Sequence, residues 1–162
     1  MYYSFVVDFS YNPLEEVSGI GIVVHSSSDR KKSEPIIDEI AETYSGVSAD
    51  HGEAFAILRA LEIASDFDAE GVKIWSDYNQ LRRAIKKDLE NGTCSRRSQY
   101  YEEIIDCASM IKGLSIRYVP RRKNHAAHRL SRIGSRIVKA KKLPGSQSGT
   151  GGGCAANASS WG

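Results

Sequence analysis

The sequence predicts an α/β domain built on a mixed five-stranded sheet flanked by helices, and three observations lead there. The chain opens in runs of period two. From Asp50 the apolar residues switch to spacings of three and four. Beyond that point strand-like and helix-like segments alternate, which requires crossover connections and parallel pairing.

The elements follow in order. Tyr3, Phe5, Val7 and Phe9 alternate with Tyr2, Ser4, Val6 and Asp8, the pattern of a strand rich in aromatic and β-branched residues, and Asn12-Pro13 ends it with turn chemistry. Residues 19–24 (Gly-Ile-Gly-Ile-Val-Val) read as a second strand, and Ser26 to Asp29 as the loop after it. Pro35 to Tyr44 suits a short helix as well as a strand; its short connections favour a third, antiparallel strand. Asp50 to Phe67 is helical, with Ala54, Ile57, Leu58, Leu61, Ile63 and Ala64 as the apolar positions. Val72 to Ser76 is a fourth strand, followed by helices from about Asn79 to Leu89 and from about Ser98 to Ile111. Gly113 stops the latter, Leu114 to Val119 forms a fifth strand, and Asn124 to Lys141 a last helix on an apolar face of Ala127, Leu130, Ile133 and Ile137. The first three strands are expected antiparallel, and strands one, four and five parallel. Residues 1–142 form one domain, and residues 143–162, rich in Gly, Ser and Ala, a disordered tail.

With 162 residues, 41% of them hydrophobic, the chain has the apolar material for one core. Its apolar runs are strand-sized, well short of the roughly 18–20 residues of a membrane span, and no secretion signal opens it. A cytoplasmic, monomeric protein with no membrane partner is expected. Cys94, Cys107 and Cys154 are odd in number and lack metal-ligand spacing, so they read as reduced thiols. The formal charge of +2 conceals a division: residues 1–81 carry 5 basic and 15 acidic side chains, and residues 82–162 carry 17 basic and 5 acidic. Such asymmetry points to a polyanion partner or to an acidic site held together by cations.

Three acids need a chemical explanation. Asp8 interrupts an apolar strand that must lie centrally in the sheet, where an unpaired carboxylate is costly. Asp77 follows the fourth strand directly, a position that equally suits a helix N-cap, and Asp50-His51-Gly52-Glu53 equally suits a capping box. Adjacent parallel strands end about 5 Å apart, so Asp8 and Asp77 can converge, and a helix across the sheet can bring Glu53 to them. Three such carboxylates call for a hard divalent cation, Mg²⁺ or Mn²⁺.

Residues 5–10 (Phe-Val-Val-Asp-Phe-Ser), Ser48 to Glu53 opening a helix, residues 75–81 (Trp-Ser-Asp-Tyr-Asn-Gln-Leu), and residues 119–124 (Val-Pro-Arg-Arg-Lys-Asn) ahead of residues 127–130 (Ala-His-Arg-Leu) together resemble type 1 ribonuclease H. The resemblance covers about residues 1–140. It implies a ribonuclease H-like fold and cleavage of the RNA strand of an RNA/DNA hybrid by two divalent metals, one activating the attacking water and one stabilising the leaving oxygen, giving 5′-phosphate and 3′-hydroxyl ends. Asp8, Glu53 and Asp77 would hold the metals. His128 stands where the family usually has a fourth acid. As a ligand it would favour Mn²⁺ over Mg²⁺, and it would otherwise act through water or in proton transfer, or stand as a helix histidine. Ser10, Asn12, Asn79, Arg121, Arg122 and Asn124 are the substrate-binding candidates.

Two departures from the family stand out. Ala49-Asp50 replaces the pair of amides that commonly reads RNA 2′-hydroxyls, and Tyr11 to Glu16 replaces a glycine-rich turn. Against them, residues 121–142 hold nine Lys or Arg and no acid, and Arg82, Arg83, Lys86, Lys87, Arg96 and Arg97 form a second basic group, a surface suited to tracking phosphates. The alternative to a nuclease is a nucleic-acid-binding module of the same fold that has lost activity. A 3′ to 5′ exonuclease is disfavoured because Ser10 stands where that branch has a second acid.

Overall fold

A computed structural model describes residues 1–28, 35–136 and 141–142. The strands are β1 (Tyr2–Asn12), β2 (Val17–Ser27), β3 (Ile36–Ser45), β4 (Gly71–Ser76), β5 (Leu114–Tyr118) and β6 (Lys141–Lys142); the helices are α1 (Gly52–Ser65), α2 (Asn79–Asn91), α3 (Tyr101–Met110) and α4 (His125–Arg136). They form one mixed sheet in the order β5-β4-β1-β2-β3-β6. β1, β2 and β3 pair antiparallel, while β4 pairs parallel with both β1 and β5. The expected five-stranded arrangement is therefore present, and the ambiguous Pro35–Tyr44 segment is a strand.

The last helix is described as far as Arg136, and Lys141, expected to be helical, instead forms with Lys142 a short strand that pairs parallel with Tyr44 and Ser45. It covers backbone groups on the edge of β3 that would otherwise stay open. Ile137 and the expected tail at 143–162 lie outside the described residues.

The two faces of the sheet are covered unequally. Phe5, Val7, Ile20, Ile22, Val24 and Ile74 build the larger core with α1 and α3, which contribute Phe55, Ile57, Leu58, Leu61, Tyr101 and Ile104. On the opposite face α4 packs a small cluster of Ala127 and Leu130 against Val23, Val6 and Ala41. Here the expected apolar face needs correction, because Ile133 is 41% exposed while Ser131, Gly134 and Ser135 are buried. The cause is proximity. A Cβ on Gly19 would lie 1.9 Å from the Ser131 carbonyl oxygen, and one on Gly21 would lie 2.0 Å from that of Ala127. Opposite Gly19, where the two backbones come closest, the residues of α4 that face the sheet are small, and Thr43 ties helix to sheet by donating its hydroxyl to the Gly134 carbonyl at 2.5 Å.

The connection from α2 to α3 is ordered by one carboxylate. Gly92 closes α2 in the left-handed conformation (φ 63°). Buried Asp88 then accepts hydrogen bonds from the hydroxyls of Thr93 (2.7 Å), Ser95 (2.8 Å) and Tyr101 (2.5 Å) and from the Ser95 amide (3.0 Å). These bonds, Tyr101 foremost, hold its carboxyl well below the usual carboxylate range. The loop so fixed presents Arg96 and Arg97 to solvent.

Candidate metal centre

Asp8 lies just past the middle of β1, on the face covered by α4, and is 3% exposed. β1 and β4 run parallel with Val6 opposite Trp75, so two residues further along both chains Asp77 leaves β4 beside Asp8. Glu53 arrives from the other face. It is the second residue of α1, whose Gly52 lies against the Phe9 ring so closely that a Cβ there would be 2.0 Å from Cζ. The missing side chain at 52 lets α1 begin directly above the strand that carries Asp8. One oxygen from each of Asp8, Glu53 and Asp77 can be chosen so that all three lie within 4.8 Å of one another.

The structural alternatives for two of these acids fall away. The N-cap of α2 is Tyr78, not Asp77, and no side chain caps the helix. α1 is preceded by a 3₁₀ turn at Ala49–His51; its N-cap is His51, and the Asp50–Glu53 box does not form. Ser48 bonds the His51 Nδ1 at 2.7 Å instead. Neither Asp77 nor Glu53 is occupied in starting its helix.

The electrostatics match a site built for a cation. Burial, and then the charges of Asp77 and Asp8, push the Glu53 carboxyl up to about 8, opposed by Arg121. Asp77 is also raised, by burial and then by Asp8, with Arg121 again opposing. Glu53 Oε2 is buried without a hydrogen-bond partner among the described residues. An orphaned carboxylate oxygen beside two further carboxylates is the donor set of a hard divalent ion, so the residues fit Mg²⁺ or Mn²⁺.

His128 is placed differently from the three acids. Its Nδ1 lies 2.7 Å from Asp8 Oδ2, and it does not join the set of mutually close donor atoms. Ser131, one turn later and fully buried, has its Oγ 3.1 Å from the same oxygen and 2.8 Å from the His128 carbonyl. Ser131 escaped the sequence reading. Its only signal was a small polar residue three positions after His128 on the same helical face.

The six substrate-binding candidates separate. Arg121 and Arg122 are exposed in a 3₁₀ turn at Arg121–Lys123, where Arg121 is near enough to influence Glu53 and Asp77. Asn79 opens α2 next to Asp77 and accepts from Arg82 Nε at 2.9 Å. Ser10 and Asn12 instead reach the end of α4: the Ser10 hydroxyl lies 3.2 Å from that of Ser135, and Asn12 Nδ2 donates to the Ser135 carbonyl at 3.0 Å. Asn12 Oδ1 also accepts from the Leu14 amide at 3.1 Å, so its side chain is committed to the β1–β2 turn. Asn124 is 1% exposed and donates to the Val7 carbonyl at 2.9 Å, which makes it part of the frame around β1 rather than a contact surface.

Comparison with known proteins adds the following. A profile of the reverse transcriptase-like family matches residues 7–134. No curated protein matches the sequence. The fold resembles that of RNase H1 from the halophilic archaeon Halobacterium salinarum NRC-1, with a TM-score of 0.64 and 18% identity over 83% of this chain and 97% of that one. It also resembles the N-terminal RNase H domain of a Mycobacterium tuberculosis protein, solved as a maltose-binding protein fusion (TM-score 0.65, 16% identity, 83% and 93% of the two chains). A third likeness is to the prototype foamy virus protease-reverse transcriptase (TM-score 0.65, 19% identity), of which the aligned part spans 21% while covering 85% of this chain; a foamy viral protease-reverse transcriptase solved in complex with an RNA/DNA hybrid is also similar (TM-score 0.62, 18% identity).

Proposed function

The chain belongs to the reverse transcriptase-like family, whose fold it shares with ribonucleases H, and from that premise we propose that it is a metal-dependent endoribonuclease cutting the RNA strand of RNA/DNA hybrids. The reaction leaves 5′-phosphate and 3′-hydroxyl ends. The observation that carries this reading is the convergence of Asp8, Glu53 and Asp77 from three elements, with a buried Glu53 oxygen that no group among the described residues satisfies.

Asp8, Glu53 and Asp77 hold the divalent ions, Mg²⁺ or Mn²⁺. When bound, the ions activate water and stabilise the leaving oxygen of the phosphodiester. Arg121 offsets the negative charge of the cluster and stands where a scissile phosphate must approach, while Arg122 and Asn79 flank that approach. Arg96 and Arg97, on the loop fixed by Asp88, extend the basic surface away from the acids, and the hybrid backbone follows it.

One observation favours a second reading, a binding module of the same fold. The side chain at 128 is not among the clustered donors, which leaves three acids. Cleavage of a labelled RNA/DNA hybrid, beside RNA/RNA and DNA/DNA duplexes, in Mg²⁺ and in Mn²⁺ separates the two. The nuclease reading expects hybrid-selective cleavage that falls to background in Asp8→Asn and Asp77→Asn proteins that circular dichroism shows to be folded. Binding without cleavage under either metal supports the module. A monomeric state and a cytoplasmic location complete the proposal, and size-exclusion chromatography and cell fractionation test them.

A further inference from the structure

We propose that His128 is a positioning residue rather than a metal ligand: its Nδ1–H and the Ser131 hydroxyl grip Asp8 Oδ2, fixing the carboxylate so that its other oxygen is presented to the metal. This inference rests on the metal reading of the Asp8–Glu53–Asp77 cluster.

Three observations support it. The Nδ1 to Oδ2 distance of 2.7 Å is that of a hydrogen bond, and because a carboxylate that ligates a metal can only accept, Nδ1 is the donor in the metal-bound protein. Ser131 approaches the same oxygen at 3.1 Å and the His128 carbonyl at 2.8 Å. It has a single hydroxyl proton to divide between these acceptors, which makes it the lesser of the two grips. Finally, α4 cannot shift to offer the imidazole differently, because Gly19 and Gly21 already touch its backbone. Both donors therefore act on one oxygen of Asp8 from a helix seated by close packing. Partners of this kind around a ligating side chain tune metal affinity, typically by about 10–100-fold when removed.

The experiment compares substitutions that imitate one ring nitrogen at a time. Asn places its amide nitrogen near the position of Nδ1, Gln places its own near that of Nε2, and Ala retains neither. Binding of Mn²⁺ to the full chain is measured by calorimetry at constant pH, with melting temperature followed in parallel and hybrid cleavage as a second readout. Positioning predicts that His128→Ala weakens Mn²⁺ binding by about tenfold or more, whereas His128→Asn stays within about threefold of the wild type and His128→Gln does not recover. Ser131→Ala should show a smaller loss than His128→Ala. If His128→Gln recovers affinity and His128→Asn does not, Nε2 is a ligand and the inference is overturned while the metal reading stands. Equal losses in Asn, Gln and Ala overturn it likewise. Absence of Mn²⁺ binding by the wild type overturns both readings.

Discussion

Glu53 has its carboxyl raised from 4.5 to about 8, mainly by burial. Between those values the folded protein keeps a proton that the unfolded chain has released, so without metal the Glu53 contribution to stability is complete below about 4.5 and is lost as pH rises through about 8. Calorimetric melting in a chelator from pH 5 to 9 should show this fall, and Glu53→Gln, which cannot ionise, should lack that component. Mg²⁺ added at pH 8.5 should raise the wild-type melting temperature and leave the variant's little changed. Identical pH profiles for the two proteins would refute the assignment. The candidate site was legible to different depths at this scale. Asp8 announced itself as a charge inside an apolar strand, whereas Asp77 and Glu53 were indistinguishable from helix caps until Tyr78 and His51 were seen in those places. Ser131 was silent, because a serine among small residues on a helix gives no sign of the carboxylate it faces.

β1 and α4 matter most among the elements, since between them they carry Asp8 and both of its hydrogen-bonding neighbours. Their separation is set by glycines on β2. A methyl group at Gly21 would sit 2.0 Å from the Ala127 oxygen and 2.5 Å from the Ser131 nitrogen, both backbone atoms of α4. Gly21→Ala should therefore cost roughly 1–3 kcal/mol in urea unfolding. Because it lifts α4 from the sheet, it should lower cleavage and Mn²⁺ affinity more than its stability loss accounts for. A variant that unfolds more easily but binds Mn²⁺ normally would show that helix docking and the metal centre are independent. The strands β1 to β5 could be read from period-two patterns and connection lengths. The inward face of α4 could be read only in part: Ala127 and Leu130 are buried as the period requires, but Ile133 satisfies the same period and is exposed, while the close approach to β2 buries Ser131, Gly134 and Ser135. Periodicity reports where apolar residues recur and carries no information on how closely two elements approach. The pairing of Lys141 and Lys142 with β3 was hidden for a related reason, since an edge ladder is made by backbone atoms.

Across the whole molecule, the acidic and basic halves of the chain are not separate territories. Folding brings Arg121 of the second half to Glu53 and Asp77 of the first, and Arg122, Arg96 and Arg97 are exposed to solvent. Hybrid binding, measured by fluorescence anisotropy with the Asp77→Asn protein, should weaken steeply as salt rises from about 50 to 200 mM. Replacing both Arg96 and Arg97 with Ala should reduce the slope of log affinity against log salt by roughly two, about 0.9 for each phosphate no longer neutralised. An unchanged slope would remove that loop from the interface. The charge split suggested a polyanion, but the meeting of opposite charges at Arg121 follows from topology. The same topology has a temporal consequence. Asp8 meets the side chains that steady it 120 and 123 residues later in the chain. At ribosomal rates of about 5–20 residues per second, these follow it by roughly 6 to 24 s. Asp77 itself precedes His128 and Ser131 by 51 and 54 residues, so for roughly 3 to 11 s the growing polypeptide carries all three acids without the helix that steadies Asp8.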